Sequence, residues 1–99
     1  MFGLITQFKT VPNQRDALIV ILTAGTSGMP GCLSYVVAKD AAEADAVWIT
    51  EVWSSRENHQ ASLALPAVQQ AMAKGRPLIA GFRARFETEP VGGHGLIAQ

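Results

Sequence analysis

Residues 46–72, AVWITEVWSSRENHQASLALPAVQQAM, decide the fold: an apolar run passes through a polar turn into helical spacing, taking both tryptophans and one of two histidines with it. Side chains on extended backbone alternate between faces. Trp48, Thr50 and Val52 therefore share one face, and Val47, Ile49, Glu51 and Trp53 the other. Neither face is polar enough for open solvent, so both are expected to be covered. Ser54 or Ser55 supplies an acceptor for the free N–H groups of a following helix, and Glu57 sits at its positive end. Pro66 lacks an N–H and disfavours helical backbone at Leu65. The stretch reads as a strand, a short helix over 56–64 and a second helix from Pro66.

Upstream, residues 2–9 alternate, with Phe2, Leu4, Thr6 and Phe8 against Gly3, Ile5, Gln7 and Lys9, which predicts a strand. Pro12 and Asn13 predict a stop and a helix cap, and Asp16 falls in the first turn. A helix follows over Arg15–Ala24, with Leu18, Ile21, Leu22 and Gly25 along one stripe. The loop GTSGMPG (25–31) ends it. Cys32–Lys39 is a strand by its Tyr and Val content, joined through the acidic link 40–45 to the strand at Ala46 in an antiparallel hairpin. Downstream, Lys74 and Gly75 predict the end of the second helix. Pro77 precedes a strand over 78–89, where Phe82, Ala84 and Phe86 alternate against Arg83, Arg85 and Glu87. Residues 90–99 are a Gly-rich tail that includes His94 and carries Leu96 and Ile97 for docking on a surface.

The 99 residues suffice for one domain, a core over 1–89 plus this tail, with a modest interior. Yet 48% of them are hydrophobic and 16% charged, more apolar than a small monomer needs. Eight basic and eight acidic residues cancel, so neither nucleic acid nor an anionic membrane is an expected partner. The start MFGLITQFK lacks a leader pattern and no apolar run is of membrane-spanning length, so a soluble, cytoplasmic protein is expected. Cys32 is the one cysteine, which rules out an intrachain disulfide and a cysteine metal cluster.

The order β-α-β-β-α-β predicts an α+β, ferredoxin-like split fold with a four-stranded antiparallel sheet. Helices cover one face of such a sheet. The other would carry large apolar groups, which predicts a homodimer packed sheet against sheet.

PGCLSYVV (30–37), EVWSSRENH (51–59), LALPAV (63–68) and the closing strand together resemble the antibiotic biosynthesis monooxygenase family of dimeric α+β barrels. The resemblance implies oxidation of a small quinol or phenolic aromatic by O₂ with no metal, flavin or haem. Many members carry histidine where this chain has Ser62 and Ala67, so those positions cannot supply the base. The haem-degrading relatives place Trp and His together on the second helix, and residues 56–74 contain no Trp, which argues against haem degradation.

His59 is the candidate base, its ordinary pKa suited to a phenolic proton; the bland alternative is a solvent-facing helix residue. Trp53 is either a pocket wall donating its indole N–H to a substrate oxygen or simply core. Glu51 orients base or substrate, or pairs across strands with Arg83 or Arg85. Tyr35, Gln7 and Arg83 complete the substrate-binding candidates, each with a structural alternative on the sheet. Trp48 is expected to pack, and Cys32 to act as a small buried hydrophobe. No metal ligand or cofactor is expected. Two rival functions remain: a non-catalytic aromatic-ligand-binding module, and a cofactor-free isomerase in which a single base moves a proton.

Overall fold

The structure is a computed structural model and describes residues 1–96. Strand β1 (Phe2–Thr10), helix α1 (Arg15–Ala24), strands β2 (Cys32–Lys39) and β3 (Ala46–Trp53), helices α2 (Arg56–Ser62) and α3 (Pro66–Gly75), a 3₁₀ turn at Arg76–Leu78 and strand β4 (Ile79–Thr88) follow in that order. The sheet is antiparallel with order β2-β3-β1-β4, a ferredoxin-like split βαββαβ fold.

Pairing of β1 with β3 sets Phe2 opposite Trp53, Leu4 opposite Glu51 and Phe8 opposite Val47. These residues share the helix-covered face with Ile49, as the alternation predicts. Phe2, Leu4, Met29, Trp53 and Val68 form the core, with Cys32, Tyr35 and Leu65 packed against it. Helices α1 and α3 approach closely because small residues face each other. A Cβ added at Gly25 would stand 2.7 Å from that of Ala71, and one at Gly75 would stand 3.1 Å from Leu18 Cδ1.

Several boundaries differ from the sequence reading for identifiable reasons. Helix α2 stops at Ser62, not 64, because Leu63, Ala64 and Leu65 donate to Gln60, Ala61 and Ser62, tightening the chain into i→i−3 turns before Pro66. The cap of α1 is Gln14; Asn13 sits in the left-handed region at φ 67° and donates its N–H to Asp45 Oδ1. Gly75 closes α3 in right-handed conformation (φ −78°), where contact with Leu18 rather than a left-handed cap explains the missing side chain.

The largest difference is in β4. Phe8 pairs with Phe82 but Gln7 pairs with Ala84, so two residues of β4 span one step of β1. Phe82 consequently shares a face with Arg85 and Glu87 instead of with Ala84 and Phe86, and its ring lies 4.9 Å from that of Phe8. Beyond β4 the tail is exposed from Val91 to Gly95. The expected docking of Ile97 lies outside the described residues. No helix among the described residues is long and apolar enough to cross a membrane.

Candidate active site

A cavity of about 670 Å³ lies between the helix-covered face of the sheet and the helices, within the range of small-molecule sites. Leu4, Thr6 and Phe8 of β1 form its floor; Leu18 and Leu22 of α1 with Val68 and Met72 of α3 form its roof. Tyr35, Glu51, Trp53, His59 and Ser62 gather at one end, and Arg76, Phe82 and Arg85 line the β4 side.

Local sequence explains how the polar end is assembled. Glu51 and Trp53 are two residues apart on β3 and point the same way. Immediately after, Ser55 caps α2, its Oγ accepting the N–H of Asn58 at 3.1 Å. The turn is braced because Gly31, at φ 78°, leaves room for the Asn58 side chain where a Cβ would collide. One helical turn further, His59 lies across the tryptophan: ring centroids are 5.5 Å apart from Trp53, edge-on, and 5.4 Å from Phe2. Ser62 then donates to the carbonyl of His59 at 2.6 Å.

The Trp53 indole N–H donates to Glu51 Oε1 at 3.0 Å, and His59 Nε2 stands 3.9 Å from the same oxygen. Trp53 is 1% exposed, and the carboxylate and imidazole side chains 11% and 12%. Burial pushes the Glu51 carboxyl up, partly countered by the Trp53 hydrogen bond and the Arg85 charge. Burial pushes the His59 imidazole down, aided by Arg85 and Arg56. Tyr35, opposite Glu51 in the sheet, has its phenol raised by burial, then by the charge of Glu51 and the proximity of Cys32. The Cys32 thiol is raised by burial and by Glu51, which suits a packed thiol and not a nucleophile.

Four sequence candidates therefore meet at the cavity: His59, Trp53, Glu51 and Tyr35. Two do not. Gln7 points to the open face of the sheet, where its amide donates to Asp40 Oδ2 at 3.0 Å beside the Trp48 indole at 2.7 Å. Backbone N–H groups of Glu43 and Ala42, then Trp48, hold that carboxyl down to about 2. Arg83 is 3.5 Å from Glu43, which also binds Lys9 at 3.0 Å. The β4 bulge separates it from the cavity and puts Arg85 there instead. The Glu51–Arg83 pairing is thus replaced by the contact with Trp53 and His59, and the Trp53 N–H is committed to Glu51, not free for substrate. Arg85 figures in the sequence reading only as a possible partner of Glu51, because a doubled residue in β4 carries no composition signal; Arg76, in the turn before β4, has no sequence signal that marks it. Ser62 was set aside as a lost base, yet it lines the cavity, whereas Ala67 lies in an outer groove between α1 and α3.

The sequence model of the antibiotic biosynthesis monooxygenase family matches residues 1–74. A solved Chloroflexus aurantiacus protein that carries the family's name is 62% identical with a TM-score of 0.94, over 96% of this chain and 97% of that one. A Caulobacter crescentus structure of the same family name superposes with a TM-score of 0.82 at 18% identity, over 92% of this chain and 90% of that one. A Mycobacterium tuberculosis protein does so at 0.78 and 23%, over 94% and 97%. The last two likenesses concern the fold alone. Among curated proteins nothing matches. With three quarters of its length under the family model and a relative at 62% identity, this chain belongs to the antibiotic biosynthesis monooxygenase family.

Proposed function

We propose that the protein is a cofactor-independent monooxygenase that oxidises a small quinol or phenolic aromatic with O₂. The observation that carries this reading is the largely covered His59 imidazole, packed against Trp53 and Phe2 at the wall of an apolar cavity, where burial lowers its pKa. A dihydroxy-aromatic in the cavity gives its phenolic proton to His59, and the resulting phenolate is electron-rich enough to reduce O₂ directly. One oxygen atom of O₂ joins the ring in place of hydrogen and the other leaves as water, so a quinol plus O₂ becomes a hydroxyquinone plus water. The protein binds, deprotonates and keeps bulk water away; its apolar floor and roof serve the last task. Tyr35 and Arg85 reach the cavity as hydrogen-bond donors.

Oxygen uptake by metal-free protein with 1,4-dihydroxynaphthalene tests the reading. One O₂ consumed per quinol, with a product 14 mass units heavier than the quinol, is the expected result, about 14 being the gain of one oxygen atom and the loss of two hydrogens. An unchanged mass with a shifted proton would establish the isomerase, and tight quinone binding with no uptake above buffer would establish the binding module, which Ser62 and Ala67 favour.

The proposed working unit is a homodimer joined through the open sheet face. Register sets Phe86, Ile5, Thr50 and Val36 in one row across all four strands of that face. Val36 and Phe86 are 53% and 56% exposed in the single chain, an apolar surface that a soluble protein covers. Thr50→Lys, an exposed position whose change spares the core, is expected to weaken the dimer at least about a hundredfold, since each subunit would then bury a lysine charge in the proposed seam. Sedimentation velocity reads this directly, and a wild-type monomer at micromolar concentration would refute the dimer.

A further inference from the structure

The cavity contains a second proton-bearing group besides the proposed base. Glu51 is a buried carboxyl whose side-chain hydrogen-bond and ion-pair contacts, among the described residues, are the Trp53 indole at 3.0 Å and His59 Nε2 at 3.9 Å. A structural carboxylate needs a permanent cation or several N–H donors to offset its desolvation. Glu51 has one indole donor, an imidazole whose pKa burial lowers, and the Arg85 charge, which stands outside ion-pair distance and only partly offsets the burial. Such an arrangement is costly for folding alone and matches the carboxyl–imidazole pairs that orient a base.

Resting on the monooxygenase reading, we infer that Glu51 is a positioning residue that acts on the substrate through His59, the two forming one unit that takes up and returns a single proton. Nε2 is the ring nitrogen nearer the carboxyl, at 3.9 Å; as the pair closes to hydrogen-bond distance the neutral imidazole carries its hydrogen on Nε2 and keeps the lone pair on Nδ1 as the base. On taking the phenolic proton the imidazolium lies beside Glu51, which offsets the repulsion from Arg85 of β4 and Arg56 of its own helix. Glu87 of β4 assists from further away. On the Glu51 side, Arg85 of β4 favours the carboxylate, whereas Tyr35 and Cys32 of β2, both with raised pKa, add no charge of their own. The portions of α1 and α3 facing the cavity, Leu18, Leu22, Val68 and Met72, cannot titrate. When the departing oxygen becomes water, the same unit returns the proton. Burial drives the two pKa values toward each other, Glu51 upward and His59 downward, which suits reversible transfer within the pair. Trp53, through its indole N–H, fixes the carboxyl in place and so belongs to the same chain of contacts.

The test uses the full chain with ¹⁵N-labelled histidine. In the wild type, the His59 ring signals are expected to report two protonation events on titration, its own and that of Glu51, and a neutral ring protonated at Nε2. In Glu51→Gln the second event disappears, the His59 midpoint moves to lower pH and the Nδ1–H form gains population, because a carboxamide can donate to Nε2. Turnover of 1,4-dihydroxynaphthalene falls about a hundredfold in kcat/KM, the ordinary scale of a general-base contribution, while the dissociation constant of 1,4-naphthoquinone stays within a factor of three. Glu51→Asp, which keeps the charge, recovers at least tenfold of the loss. A single-step wild-type titration, or an equal loss of quinone binding and turnover in Glu51→Gln, overturns the proposal. The histidine titration reads the pair whether or not the protein oxidises quinols, so failure of the oxygen chemistry and failure of the pair are separate outcomes. Should Glu51→Gln not fold, the wild-type titration decides alone.

Discussion

His59→Gln is expected to lower kcat/KM for a dihydroxy-aromatic by about 10²- to 10⁴-fold, the range for removal of a positioned general base, with binding of the corresponding quinone nearly unchanged. Glutamine keeps much of the ring's volume and cannot accept a proton at neutral pH. The cavity therefore remains shaped for the ligand while its base is gone. The wild-type pH profile supplies an independent check. The reaction needs neutral imidazole, which predominates above its pKa. Burial, Arg85 and Arg56 lower that pKa from the ordinary value of 6.5, so the acid limb of kcat/KM is expected below pH 6.5. An acid limb above that value, or a His59→Gln protein of full activity, would remove His59 from the reaction.

The largest effect on stability is expected from Trp53→Ala, at about 3–5 kcal/mol for truncating a fully buried Trp. Trp53 belongs to the core with Phe2, Leu4, Met29 and Val68, and among the described residues it also supplies the one N–H that the Glu51 carboxylate accepts. Truncation opens a void and strands a buried carboxyl, adding about 1–3 kcal/mol for the orphaned group. A domain of this size has about 5–15 kcal/mol in all, so the variant is expected to melt more than about 16 °C lower, by the usual 4–8 °C per kcal/mol. Trp53→Phe separates the two contributions, since it keeps most of the ring but loses the indole donor. Thermal unfolding by circular dichroism measures both; a Trp53→Ala protein within 3 °C of wild type would show that the indole is not part of the core.

Much of this architecture is legible in the amino acids because it rests on strict alternation. Glu51, Trp53 and Ile49 share a face in any straight strand, and Ser55, Glu57 and Pro66 place the two following helices through caps and a missing N–H. The order of elements follows from those signals. Of the site, His59, Glu51, Trp53 and Tyr35 were readable as candidates because three of them lie within nine residues, in one strand–turn–helix unit. Gln7 and Arg83 misled for different reasons. Gln7 has the parity of Trp48, and the sequence does not say which face is hollow. Arg83 obeys an alternation that holds in sequence but is broken in space at Phe8 and Gln7. The true partner of Glu51 could not be chosen either, because a cross-strand arginine and a helix imidazole are both plausible until the helix is laid over the sheet.

That doubled position in β4 divides labour between the two sides of the sheet. In a strand of unbroken alternation beyond Phe82, Arg83, Arg85 and Glu87 would crowd onto the face proposed to meet a second subunit, and Ala84 and Phe86 would turn into the hollow. One surplus residue prevents this, sending the Arg85 guanidinium to the cavity and the Phe86 phenyl to the open face. An insertion or deletion near residue 83 would therefore exchange the faces of Arg85 and Phe86 without altering a single helix.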